Sequence, residues 1–141
     1  MTALADALTE ARALAAEPSP DLARASASFE RVIRAAADTA SVRDALRDVA
    51  KGRALLRFTD TEDAFEFGAG EGELSILHTD KRGPGPKVDA TAATWLALMA
   101  GTLKPWLAFT RGLIVCRAGL NELRWLQQVA ERIQSGYARA T

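Results

Sequence analysis

The hydrophobic period of this chain changes near Gly52, and that change limits the folds open to it. Before it, apolar residues recur at helical spacing. In residues 2–16, Leu4, Ala7, Leu8, Ala11, Leu14 and Ala15 share one face, with Asp6, Glu10 and Arg12 elsewhere. Ser19-Pro20-Asp21 reads as a helix start: a hydroxyl cap, a proline in the first turn, then an acid at the positive helix end. The helix beyond it aligns Leu22, Ala25, Phe29, Val32, Ile33 and Ala36. Ser41 with Asp44 resembles a capping box that opens a short helix through Leu46 and Val49, with Gly52 placed to end it.

After Gly52 the period becomes two. Residues 54–59, 64–68 and 73–78 are short alternating runs, separated by turn-like stretches at Asp60–Asp63 and Gly68–Gly72. An antiparallel meander follows from that pattern. Lys81–Pro86 is a loop, and Lys87–Ala90 a weak strand. Thr91 can cap a helix across Ala92–Ala100, which Gly101 closes; Pro105 opens a short turn. A last strand, Leu113–Arg117, leads through Gly119 into a helix with Leu120, Leu123, Leu126, Val129, Ala130 and Ile133 inward. Helices, a meander, then helix–strand–helix give an α+β fold with one sheet covered by helices.

The 141 residues suit one domain, and a formal net charge of zero supplies no long-range field that would steer the chain to nucleic acid or to an anionic membrane, which leaves only a local patch to bind either. Cys116 is the lone cysteine, so a reducing compartment is expected. The first residues lack a basic region and carry Asp6 and Glu10, against a secretory signal. No apolar run approaches the roughly 20 residues of a membrane-spanning helix, so no stable membrane insertion is expected. The expected location is the cytoplasm, and the heavy use of alanine and of arginine over lysine suggests a bacterium.

The chain offers little catalytic chemistry. His78, the one histidine, reads as a solvated strand end, and Cys116 as an inert core thiol. Gly68–Gly72 joins two strands and is followed by no Lys-Ser/Thr pair, so it is a hairpin turn and not a phosphate loop. Asp60, Glu62 and Asp63 solvate a turn, while Arg31, Arg34, Arg43 and Arg47 lie among acids on polar helix faces. No metal cluster, cofactor fingerprint or nucleophile–base pair is present; no catalytic residue, metal or cofactor is expected. Trp95, Trp106, Phe109 and Trp125 fit equally an ordinary core and the lining or mouth of a cavity.

Residues 95–112 carry one further pattern: an apolar helix from Trp95, Gly101, Leu103, Pro105, Ala108-Phe109 and Gly112 before the last strand. In that order and spacing they resemble the signature of the sterol carrier protein type 2 family. Arg53–Phe58, Ala64–Phe67 and Gly72–Leu77 fit its opening meander, and Leu123, Leu126 and Val129 its closing helix. The likeness runs from about Phe29 to Ile133 and is specific in the last third.

The resemblance implies a single mixed five-stranded sheet with helices over one face and an apolar tunnel between them. Residues 1–20 would be an added N-terminal helix, and 21–141 the lipid-binding domain. Lining residues would be Phe58, Phe65, Leu74, Ile76, Leu98, Met99, Phe109, Ile114, Leu123 and Leu126. The implied function is non-catalytic binding, with transfer, of a fatty acyl, sterol-like or isoprenoid lipid. The alternative is an accessory protein that presents a lipid such as a quinone precursor to a biosynthetic enzyme complex.

The chain departs from the family pattern in several places. Val88–Ala93 is short and small, Ala118 precedes Gly119 where the family places glycine, and residues 1–20 lie outside the usual core. Leu113, Val115 and Trp125 stand where polar residues are usual, with Ile114 and Cys116 facing inward. A wet apolar strand face calls for a cover. The expectation is that the N-terminal helix, a second copy in a homodimer, or a partner enzyme supplies it.

Overall fold

A computed structural model describes residues 2–117 and 119–140. Helices α1 (Ala3–Ala15), α2 (Leu22–Ala37) and α3 (Ala40–Ala45) precede strands β1 (Gly52–Phe58), β2 (Ala64–Gly70), β3 (Glu73–Thr79) and β4 (Lys87–Ala90). Then come α4 (Ala92–Ala100), α5 (Pro105–Thr110), β5 (Val115–Arg117) and α6 (Leu120–Ala140). The strands form one five-stranded mixed sheet in the order β3-β2-β1-β4-β5, antiparallel except for the parallel pair β1–β4.

Alternation decides which face of the sheet is covered. Ala54, Leu56 and Phe58 of β1 oppose Phe67, Phe65, Val88 and Ala90 on its neighbours, and all of these join the core beneath the helices. Arg53, Leu55 and Arg57 point the other way. Leu55 is nonetheless fully buried, because the 80–86 loop folds over it: its N–H donates to the Pro86 carbonyl at 2.8 Å, and Gly83 lies against its side chain. Glu71 and Gly72, both at positive φ (53° and 80°), make the two-residue β2–β3 turn; such turns twist with the strands.

The local signals at α4 hold in detail. Thr91 accepts from the Thr94 amide at 3.2 Å, and Gly101 ends the helix at φ 79°. Others moved. Asp21, and not Ser19, caps α2, because its carboxylate reaches the Arg24 amide at 3.0 Å; Pro20 therefore lies ahead of the helix. Ser41 caps nothing, since its hydroxyl donates to the Gly136 carbonyl at 2.9 Å. Gly52 does not end α3 but opens β1, where an added Cβ would lie 2.5 Å from the Trp125 ring. The last strand begins at Val115 because the Leu113 amide is used on the Ala108 carbonyl as the chain leaves α5. The turn geometry at Ala118 lies outside the described residues.

Helix α1 buries Leu4, Ala7, Leu8, Ala11 and Leu14 against α2 and α4, and Arg12 Nε donates to the Ala100 carbonyl at 3.0 Å. It therefore belongs to the helical layer and does not cover the outer sheet face. Leu113 and Val115 remain 40% and 48% exposed. The close crossing of α3 and α6 depends on Gly136, whose Cβ would meet the Val42 Cα at 2.7 Å. No helix is long and apolar enough to cross a membrane among the described residues.

Candidate functional site

Between the sheet and the later helices lies a space with apolar walls. Leu56 and Phe67 of the sheet form its floor. Trp95, Leu98 and Met99 come from α4, Phe109 from α5, and Leu126, Val129, Ala130 and Ile133 from α6. The α6 residues recur at three- and four-residue spacing and so form one stripe on one helix face. Gln134 holds this arrangement from outside by donating at 3.0 Å to both the Leu98 and Leu103 carbonyls, which ties α6 to the end of α4. The only polar group among the lining side chains is the Trp95 indole N–H, and it is bonded to the Arg57 carbonyl at 3.1 Å.

That space is nearly closed. Its volume is about 10 Å³, at the margin of holding one water, and its walls offer a water no partners. The tunnel implied by the family resemblance does not stand open.

The structure brings four of the expected lining residues together there: Leu98, Met99, Phe109 and Leu126. Phe58 and Phe65 instead join Phe29 and Trp95 in a solid aromatic cluster, with Phe29–Phe58 centroids 5.3 Å apart and nearly perpendicular. Leu74 and Ile76 are buried on the inward face of β3, toward the sheet edge, and Ile114 is buried in the core ahead of β5. Leu123 is half-buried, three residues before Leu126 on α6. Leu56, Phe67, Val129, Ala130 and Ile133 were absent from the expected lining, although the stripe running on from Leu126 and the alternation from Phe65 to Phe67 both point to them.

A second, larger concavity of about 1170 Å³ runs over the outer face and edge of the sheet, beside the Pro84–Pro86 loop and Leu77. It is open; Arg43, Lys51, Arg53, Glu66 and Glu73 lie along it, and Phe67 and the expected lining residues Leu74 and Ile76 border it. The enclosed space is wholly apolar but nearly filled, whereas the concavity is roomy, open and mixed in its lining.

Two polar constellations flank these cavities. On the outer face, Asp89 takes Arg57 in a bidentate pair and Arg117 at 2.8 Å. Burial pushes the Asp89 carboxyl up, but hydrogen bonds and charge from the two arginines outweigh it and hold the group below the usual aspartate value. At the meander, His78 lies 3.0 Å from Asp63, not simply solvated, and edge-on to Phe65. Burial raises Asp63, while bonds from His78, Thr61 and Ser26 bring it below its usual value. Both hydroxyls are bound to the carboxylate, and the arrangement holds the turn instead of activating a nucleophile. Among the described residues no cluster of three His, Cys, Asp or Glu could hold a metal ion.

No family model matches the chain, and no curated protein matches it by sequence. Solved structures do match in three dimensions. A sterol carrier protein 2 matches over 96% of this chain and 94% of its own, with a TM-score of 0.56 and 17% identity. A conserved hypothetical protein from Thermus thermophilus, described as a possible sterol carrier protein, matches over 77% and 82% with a TM-score of 0.57 and 17% identity. A UbiJ-SCP2 ubiquinone synthesis protein matches over 79% and 90%, with a TM-score of 0.50 and 11% identity. The open mixed sheet with helices on one face is thus the fold of the sterol carrier protein 2 domains.

Proposed function

We propose that this chain binds one small lipid, a fatty acyl, sterol-like or isoprenoid molecule, between the sheet and α4–α6, and does so in the cytoplasm without catalysis. The supporting observation is a continuous apolar lining around residual space, at a seam closed by the short helix α5. Entry of a ligand requires Phe109 and the α6 residues to move outward from the sheet. Met99, unbranched and polarisable, is suited to refit against ligands of different shape. A ligand that hides about 300 Å² of apolar surface gains roughly 7 kcal/mol, less the cost of opening the site.

Native mass spectrometry of the protein before and after gentle organic extraction tests this reading. A lipid that co-purifies and is lost on extraction is expected, together with uptake of a fluorescent fatty acid by the extracted protein. A protein that is empty as purified and takes up no fatty acid would overturn it. Replacing Leu126 by Gln puts an unpaired amide into the wall and should weaken uptake at least tenfold, about 1.4 kcal/mol.

A second reading draws on the likeness to the ubiquinone synthesis protein. Here the chain presents an isoprenoid quinone precursor to a biosynthetic enzyme. Co-purification with such an enzyme, together with a prenylated aromatic in the extract, would favour this role over transfer.

A further inference from the structure

Large apolar side chains at the surface are few and unevenly placed. Leu22 and Leu77 stand apart, while Trp106, Leu113, Val115 and Leu120 fall within one short stretch of chain. That stretch is the end of the molecule framed by α5, β5 and the first turn of α6, where α5 and α6 are in contact. Trp106 is 50% and Leu120 60% exposed. The same stretch is basic: residues 104–124 hold Lys104, Arg111, Arg117 and Arg124 against the single acid Glu122, and although Arg117 is paired with Asp89 of β4, the other three bases exceed the acid by two on a chain whose net charge is zero. Lys104, Arg111 and Arg124 take part in no ion pair among the described residues. Finally, this end meets the apolar space. Leu120 and Leu123 precede the wall residue Leu126 at three-residue steps along α6, passing from exposed to half-buried to buried, and Phe109 of α5 is itself a wall residue.

We infer that the α5–β5–α6 end docks on an anionic lipid surface. Its bases would meet the headgroups, while Trp106 and Leu120 enter the boundary between headgroup and acyl chain. Charge argues for this occupant over a second copy. A two-fold interface sets the same patch against itself, and here that would oppose bases to bases. A bilayer rich in acidic lipids complements them. Tryptophan, with an apolar body and a polar N–H, favours that boundary. Nucleic acid would satisfy the charge and leave the leucines and valine without a partner. The cargo that passes rests on the lipid-binding reading above; the docking itself does not.

Co-sedimentation with vesicles tests it. The full chain is mixed with vesicles of phosphatidylcholine alone and of phosphatidylcholine with phosphatidylglycerol. Binding is expected only to the second, falling as salt rises. Trp106→Ser and Leu120→Ser, both at exposed positions, should each weaken it about tenfold, and Arg111→Gln or Arg124→Gln about fivefold each. Leu22→Ser and Leu77→Ser should leave it unchanged. Circular dichroism melts confirm that each variant is folded. Absence of binding to acidic vesicles overturns the proposal, as does equal loss in the Leu22 and Leu77 variants. So does a homodimer or a captured acidic protein that Trp106→Ser disrupts while vesicle binding persists. Fatty-acid uptake is read in parallel: vesicle binding without uptake keeps the docking surface and removes the cavity reading, and uptake without vesicle binding does the reverse.

Discussion

Arg57 and Asp89 are register partners across the one parallel strand pair, and they meet as a fork, Nε to Oδ1 at 2.6 Å and Nη2 to Oδ2 at 2.9 Å. Arg117 from β5 adds a third bond, so one carboxylate on β4 fastens the edge strand β5 and the central strand β1 together. The Asp89 side chain is 12% and that of Arg57 22% exposed, which leaves little water to replace a lost partner. Asp89→Ala should cost about 2–3 kcal/mol, and Asp89→Asn less, because the amide oxygen still accepts. Urea unfolding of the two variants against the parent measures both.

The same group gives a pH signature. Its folded value lies below that of the unfolded chain, so the native state binds its proton less readily. The stability it contributes is complete above the unfolded aspartate value of about 3.9 and disappears as pH falls through the lower folded value. Asp63 acts in the same direction. Thermal midpoints should therefore hold steady at mildly acidic pH and drop more steeply below about pH 4, and the drop should be shallower in Asp89→Asn. An unchanged acid limb in that variant would count against the assignment.

Helix α1 should behave as core. Leu8 is 1% exposed, so Leu8→Ala is expected to cost about 2–5 kcal/mol by cavity formation. Leu22→Ala, at a residue 39% exposed, should stay within about 0.5 kcal/mol of the parent. Removal of residues 2–16 should abolish cooperative melting. Calorimetry separates these outcomes.

Gly136 predicts a sign opposite to helix propensity. In an exposed helix, Gly→Ala gains about 1 kcal/mol. Here the new methyl meets backbone, the Val42 Cα at 2.7 Å, so a net loss of about 1–3 kcal/mol is expected. Chemical denaturation of Gly136→Ala reads the sign directly.

The architecture was legible because alternation and helical spacing are local. The β1–β3 runs, the Thr91 cap and the Gly101 stop each follow from a few neighbouring residues, and the inward set of Ile114 against Leu113 and Val115 follows from period two. What escaped depends on partners distant in sequence. Ser41 looks like a cap until Gly136 takes its hydroxyl, and Gly52 looks like a helix stop until Trp125 is seen lying on it, its indole N–H bonded to the Ala50 carbonyl at 2.7 Å. The role of Asp89 in a short, small-residue strand needed the register that sets it between Arg57 and Arg117. Cavity lining is harder still. Phe58 and Phe65 carry the same inward pattern as Phe67, and only the position of Phe29 decides that they fill a core while Phe67 faces the space.

On the proposed lipid-binding reading, the near-closed space between the sheet and α6 makes occupancy a matter of how often the seam opens. For a site shut most of the time, apparent affinity equals intrinsic affinity multiplied by the open fraction. Sequence changes far from the lining therefore tune binding. Weakening the Gln134 tie to the Leu98 and Leu103 carbonyls would tighten apparent binding without adding a contact, at the expense of the resting fold. Stability and capture oppose each other at that one glutamine.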